Sequence, residues 1–141
     1  MRFEWCSGTM RHPRIGKQVS VSVEAAAEDA GVSVGDIVID AVSTTSLILF
    51  LEAAAERAID ECFEAGEVSV GTAVNVRHLA AAPVGAKIKA TARVTAVQGR
   101  RIDFAVEAHY GRKVLMTGSI QRVVVNLERF LRQHGLAVIG S

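Results

Sequence analysis

Thr44 to Gly66 reads TTSLILFLEAAAERAIDECFEAG, and the way this stretch folds decides the architecture of the chain. Thr44 or Thr45 is a candidate N-cap and Ala65-Gly66 supplies a stop, so a helix is expected from there to about Glu64. Its first half is apolar nearly all round, whereas its second half carries Glu56, Arg57, Asp60, Glu61 and Glu64. That gradient predicts a helix largely enclosed by other structure. Glu52 is the anomaly within it. Its neighbours three and four positions away include Ile48, Leu49, Ala55 and Glu56, so its own helix offers it no cation. A buried acid without a partner is either costly or useful.

Outward from the helix, the period of the apolar residues changes from helical to alternating. Upstream, Val19, Val21 and Val23 alternate with polar residues in Lys17 to Glu24, the pattern of a half-buried strand. Ala25 to Val42 carries Gly31, Gly35 and a short Ala-rich piece, and reads as a loop with one helical turn, placed to cover a pocket. Downstream, four strand patterns follow with short turns between them. Val68, Val70, Thr72, Val74, Val76 and His78 share one face of the first; Ile88, Ala90, Ala92, Val94 and Ala96 share one face of the second. Gln98-Gly99 turns into a third with Ile102, Phe104, Val106, Ala108 and Tyr110 on one face, and Gly111 turns into a fourth, Val114 to Val125. Asn126 then caps a last helix, NLERFLRQH, which Gly135 stops.

The order is a strand, a long buried helix, then four strands joined largely by hairpins. It predicts an α+β chain in which an antiparallel sheet wraps around a long central helix, with a short C-terminal helix added, the layout of a hotdog fold. Residues 16–141 are expected to form a single domain, with residues 1–15 as a mobile N-terminal tail in which Met10 is an alternative start. Val-rich strand edges invite pairing with a second copy, so a homodimer is expected.

Composition excludes several classes of function. The formal net charge is +1, with five Phe, one Tyr and one Trp, so nothing draws the chain to nucleic acid. The longest uninterrupted apolar run, Leu47 to Leu51, falls far short of the ~20 residues of a membrane span, and the N-terminus lacks the apolar stretch of a signal peptide. A soluble, cytoplasmic protein without a membrane partner is expected. Cys6 and Cys62 lack metal spacing and read as reduced, structural thiols. No His, Cys and Asp cluster has ligand spacing, so no metal is expected, and no G-x-G-x-x-G or G-x-x-x-x-G-K-[ST] loop is present.

Two titratable groups point into the expected interior from different elements: Glu52 from the helix and His78 from the strand after it. Thr44 lies eight residues before Glu52, just over two helical turns away, near unpaired backbone N–H groups that favour a developing oxyanion. Taken singly, each has a bland reading as a polar anchor, a strand histidine or a cap. Jointly, an acid, an imidazole and a hydroxyl aimed at one pocket are what acyl transfer needs.

The same residues carry a resemblance to a known family. T-x7-E runs from Thr44 to Glu52, A-G-E-x-S-x-G-T-A from Ala65 to Ala73, V-x-H from Val76 to His78 and A-x-P-x-G from Ala81 to Gly85. V-x-G-R-R at Val97 to Arg101, A-H-x-G at Ala108 to Gly111 and Arg122 follow. In these stretches the chain resembles the fluoroacetyl-CoA thioesterase-like branch of the hotdog thioesterases. The resemblance implies that Thr44, Glu52 and His78 are catalytic and that Gly71, His78 and Arg122 line the acyl-CoA site. It further implies hydrolysis of a short-chain acyl-CoA to the free acid and CoA, with no cofactor beyond the CoA of the substrate itself. Arg122, on a strand face with Ile120 and Val124, reads either as a handle for substrate or as half of an ion pair with Glu52 or another acid.

The likeness weakens before Thr44. The fluoroacetyl-specific relative is aromatic-rich there, while this chain has no Phe, Tyr or Trp between Trp5 and Phe50; Val38 and Val42 stand in that segment. A lid of small aliphatics implies a different acyl pocket. Lys87, Lys89, Arg93, Arg100, Arg101, Arg112 and Lys113 hold seven of the 16 cations and read as a solvated strand face with some members able to meet CoA phosphates. Two rivals remain. A hotdog hydratase would carry a D-x-N-P-x-H-like string, which is absent. A non-catalytic acyl-CoA-binding or sensing protein would use the same pocket without needing the Thr, Glu and His set.

Overall fold

One long helix packs against a five-stranded antiparallel sheet, and the core lies where the two meet. The computed structural model describes residues 12–140, so most of the expected tail, with Cys6 and Met10, lies outside the described residues. The elements are β1 (Gln18–Glu24), a 3-10 turn (Ala27–Asp29), β2 (Ala30–Val34), β3 (Ile37–Val42), α1 (Thr44–Ile59), a second 3-10 turn (Asp60–Cys62), β4 (Glu67–His78), β5 (Lys87–Gln98), β6 (Arg101–Tyr110), β7 (Lys113–Asn126) and α2 (Leu127–His134). The sheet order is β1-β5-β6-β7-β4, which leaves β1 and β4 as its edges.

The helix meets the sheet through small residues on both sides. Ala54, Ala55 and Ala58 of α1 and Ala90, Ala92 and Ala108 of the sheet are all fully buried, while Leu47, Leu51, Ile59, Ile88, Ile102 and Phe104 fill the space around them. Burial of each such Leu, Ile or Phe side chain contributes ~1.5–3 kcal/mol. Only one side of α1 is covered, however. Leu49 is 57% exposed and Phe50 is half-buried, so the helix is not enclosed all round as its apolar composition predicts.

Its boundaries also differ from expectation. Ser43, not Thr44 or Thr45, is the N-cap: its Oγ accepts from Ser46 N at 3.1 Å, and Thr44 is the first helical residue. Helix α1 ends at Ile59 and tightens into the 3-10 turn, and Gly66 at φ 83° turns the chain into β4. Ala25 to Val42, expected as a loop with a helical turn, instead forms the 3-10 turn and a β2–β3 hairpin. Gly35 at φ 61° allows the two-residue Gly35-Asp36 connection between the paired Val34 and Ile37. The root of this hairpin is tied to the body by the bonds from Val42 N to Ala82 O and Val84 N to Asp40 O, while Ile37 and Val38 near its tip are exposed.

Two bulges reassign side chains that strict alternation misplaces. Across the β4–β7 ladder Gly71 faces Arg122 and Ala73 faces Gln121, so Thr72 is an extra residue held to Gln121 by two hydrogen bonds. A bulge shifts the period by one. Val74, Val76 and His78 therefore share the helix-facing side with Ser69 and Gly71, and Val68, Val70 and Thr72 do not. In β5 the bulge between Val94 and Ala96 pairs Val97 with the buried Ile102, so Val97 rather than Ala96 continues the inner face. Helix α2 begins and ends as expected: Asn126 Oδ1 accepts from Arg129 N at 2.9 Å, and Gly135 takes φ 64°.

Candidate functional site

The helix-facing side of β4 brings the expected residues together in two groups. In the first, Thr44 Oγ1 and His78 Nδ1 form a hydrogen bond of 2.7 Å. Thr44 is available because Ser43 performs the capping, and His78 reaches it because the bulge turns the last residue of β4 toward the helix. His78 lies opposite the fully buried Met116, yet is itself exposed at the strand end.

The second group is built on the middle of α1 and the ladder between β4 and β7. The Glu52 side chain is 28% exposed, half-buried rather than enclosed, and its Oε2 lies 3.9 Å from Arg122 Nη1. That separation is an ion-pair contact too long for a hydrogen bond. Gly71 sits against both. A Cβ at this position would stand 2.9 Å from Glu52 Oε1 and 3.5 Å from Arg122 Nη1, so the glycine makes room for the carboxylate. Arg122 is 5% exposed and spends its hydrogen bonds on Ser69, with Nε donating to Oγ at 2.8 Å and Nη2 to the backbone carbonyl at 2.9 Å.

Within one chain the two groups stay apart. Eight residues of helix separate Thr44 from Glu52 by ~12 Å along the axis, so Thr44 bonds His78 and does not reach Glu52. Ser69 was missed by sequence reasoning, because unbroken alternation assigns it to the face opposite His78. The signal was Gly71, since a glycine inside a strand marks a bulge or a close approach.

Among the described residues, no group of three or more His, Cys, Asp and Glu is placed to hold a metal ion, and no helix is long and apolar enough to cross a membrane. A groove of about 660 Å³ lies on the opposite, outer face of the sheet, lined in part by Lys87, Lys89, Glu107 and His109. Other members of the cationic set are tied locally: Arg100 to Glu67 at 2.9 Å, Arg101 to Asp103 at 3.7 Å, and Lys113 to the Ala81 carbonyl at 2.8 Å. Most of that set is a solvated strand face.

Comparison with known proteins shows the family. Residues 21–128 match the family model described as FlK, fluoroacetyl-CoA-specific thioesterase. The chain belongs to this family. Both groups of site residues, from Thr44 to Arg122, fall within the matched span. A fluoroacetyl-CoA thioesterase from Streptantibioticus cattleyicolor is 39% identical over 88 residues, which cover 62% of this chain and 63% of that relative. The chain thus aligns with less than two thirds of that relative's length. A solved structure of the fluoroacetyl-CoA thioesterase FlK superposes with a TM-score of 0.82 at 27% identity, covering 89% of this chain and 97% of that one. A thioesterase superfamily member from Thermus thermophilus, 23% identical, has the same fold, with a TM-score of 0.81 over 89% of this chain and 93% of its own. The hotdog fold expected from the order of elements is therefore the fold of this family member.

Proposed function

We propose that the chain is a thioester hydrolase that cleaves a short-chain acyl-CoA to the free acid and CoA. The observation that carries this reading is the 2.7 Å bond between Thr44 and His78, formed on the same sheet face as the Glu52, Gly71 and Arg122 group. A thiol leaves with a pKa near ~8.5 by analogy with Cys, so its expulsion needs little help. Glu52 acts on the acyl carbon, either by drawing a proton from water or by direct attack to give an anhydride that water then opens. His78, oriented by Thr44, hands a proton to the departing sulfur as the C–S bond breaks. Arg122 Nη1 and the bare backbone at Gly71 receive the carbonyl oxygen.

The working unit in this proposal is a homodimer. Strand β4 is a free edge, and the apolar Leu49, Val74 and Leu79 on or beside it are 57%, 41% and 57% exposed. Antiparallel pairing of β4 with β4 of a second copy sets the His78 end of one strand against the Glu67 to Gly71 end of the other. The Thr44–His78 pair of one copy then approaches the Glu52, Gly71 and Arg122 group of its partner, which closes the gap that a single chain leaves. The reaction is assigned to the cytoplasm, with no nucleic-acid or membrane partner and no cofactor beyond the CoA of the substrate.

The relative's fluoroacetyl specificity is not carried over, because the β2–β3 hairpin ahead of Thr44 contains no aromatic residue and offers Ile37 and Val38 instead. Thiol release from a panel of acyl-CoAs tests the reading. Turnover of short, unbranched acyl groups supports it; tight acyl-CoA binding without turnover of any would make the chain a binding or sensing protein.

A further inference from the structure

Arg122 is almost fully buried, and an interior accepts a guanidinium only where its N–H groups find acceptors. Among the described residues, Ser69 supplies two of them. Nε and Nη2, the two nitrogens of one edge of the planar fork, donate to the hydroxyl and carbonyl oxygens of Ser69 at 2.8 and 2.9 Å. Ser69 is itself 6% exposed and sits one alternate position before Gly71, the residue that faces Arg122 across the ladder. Holding a rigid fork by one edge fixes the direction of the remaining nitrogen. That nitrogen, Nη1, points into the gap that Gly71 leaves open, 3.9 Å from Glu52 Oε2, and among the described residues it has no acceptor at bonding distance.

We propose that Ser69 is a positioning residue that aims Arg122 Nη1 at the gap between Glu52 and Gly71, so that one charged donor stands ready for an acyl oxygen. The inference rests on the thioesterase reading above and deepens it. Ser69 does not touch substrate: it is buried, and its hydroxyl and its carbonyl are both engaged by Arg122. Its contribution is preorganisation, because a donor already aimed needs no reorganisation as charge develops. Without the Ser69 hydroxyl, Nε loses its acceptor, and the guanidinium is free to swing toward Glu52 and close the 3.9 Å gap.

The test uses the full chain with Ser69→Ala, Ser69→Thr, Arg122→Met and the double variant Ser69→Ala/Arg122→Met. Thiol release gives kcat and KM separately, and the Arg122 Nε–H resonance reports the hydrogen bond without substrate. Ser69→Ala is expected to lower kcat ~10-fold or more, since small misplacements at a reacting centre have effects of that order, and to leave KM little changed. Ser69→Thr keeps the hydroxyl and restores most of the rate. In the Arg122→Met background Ser69→Ala adds no further loss, because its effect runs through Arg122. The slowly exchanging Nε–H signal of the parent disappears in Ser69→Ala. A parental kcat in Ser69→Ala, an equal loss in both backgrounds, or a retained Nε–H signal each overturns the proposal. Should Ser69→Ala not fold, the nearly isosteric Ser69→Cys, a weaker acceptor, carries the same expectations. If the parent chain hydrolyses no thioester, the functional reading falls alone, and the Nε–H signal still decides whether Ser69 holds Arg122.

Discussion

Thr44 Oγ1 lies 2.7 Å from His78 Nδ1, joining the first residue of α1 to the last residue of β4. A hydroxyl there holds the imidazole ring in place, a function the bond can serve that a cap does not. The cap belongs to Ser43, so the two roles separate by mutation. Thr44→Val, which removes the hydroxyl at nearly constant shape, should reduce thiol release ~10-fold or more with little change in stability. Ser43→Ala should cost ~1 kcal/mol of stability and keep the rate. Denaturant unfolding beside a thiol-release assay reads both, and loss of activity confined to Ser43→Ala would reassign the role.

Glu52→Gln keeps the shape of the side chain and removes both the negative charge and the basicity. If Glu52 is base or nucleophile, kcat should fall by ~10²–10⁴-fold for every acyl-CoA that the parent turns over. Stability should change little, because the side chain is 28% exposed and its contact with Arg122 is 3.9 Å long. Near-normal hydrolysis by Glu52→Gln of any such acyl-CoA would remove Glu52 from the chemistry.

What the sequence revealed and what it hid follow from the range of the forces involved. The strands, the turns at Gly99 and Gly111 and the second helix were legible because alternation, glycine and caps act locally. The bulges at Thr72 and beside Val94 were not, since the extra residue exists only relative to a partner strand. Unbroken alternation therefore puts Val68 and Val70 on the face of His78, and Ser69 on the other. The hairpin from Ala30 to Val42 gives no strand signal in the sequence because Val32, Val34, Ile37 and Ile39 make runs too short to declare a period. Glu52 stood out correctly as an acid in an apolar run, but its partner Arg122 comes from a strand 70 positions later, and only the folded sheet brings it there.

Gly71→Ala tests the space beside the carboxylate. The new Cβ would meet Glu52 Oε1 at 2.9 Å, closer than such atoms approach, so Glu52 must move away from the gap. The backbone at Gly71 is not in the positive-φ region, and Glu52 is a flexible side chain, so the fold should tolerate the methyl group. Activity should drop ~10-fold or more while the unfolding midpoint stays close to the parent. Unchanged kcat would mean that the open space at Gly71 has no part in the reaction.

Gly118→Ala is the structural counterpart. There a Cβ would lie 2.1 Å from the Asn75 carbonyl oxygen and 2.7 Å from the Val76 Cα, backbone atoms of the paired strand that cannot turn aside. The β4–β7 ladder must open, and β4 carries His78. Loss of ~2 kcal/mol or more is expected, the range of overpacking and strain at a close approach. Urea unfolding measures it, and a destabilisation under ~0.5 kcal/mol, the size of an ordinary surface change, would contradict the close approach of the two strands.

Val74→Asp examines the proposed dimer directly. Val74 is 41% exposed, beside the centre of β4 and on the face that α1 leaves uncovered at this edge. In an antiparallel pairing of two β4 strands, residues near the middle meet their own copies, so the substitution sets like charges across the interface, where directly opposed like charges destabilise pairing. The isolated chain has little reason to unfold, because the side chain is already in contact with solvent. Size-exclusion chromatography with light scattering should show a monomer where the parent is a dimer, with a near-parental unfolding midpoint. Thiol release should fall together with dimer content, since the Thr44–His78 pair and the Glu52 group are ~12 Å apart along the helix in one chain and, in the proposed dimer, complete a site across the interface. A monomeric Val74→Asp with full activity would show that a single chain suffices, and the approach of Glu52 to His78 would then have to come from movement within it.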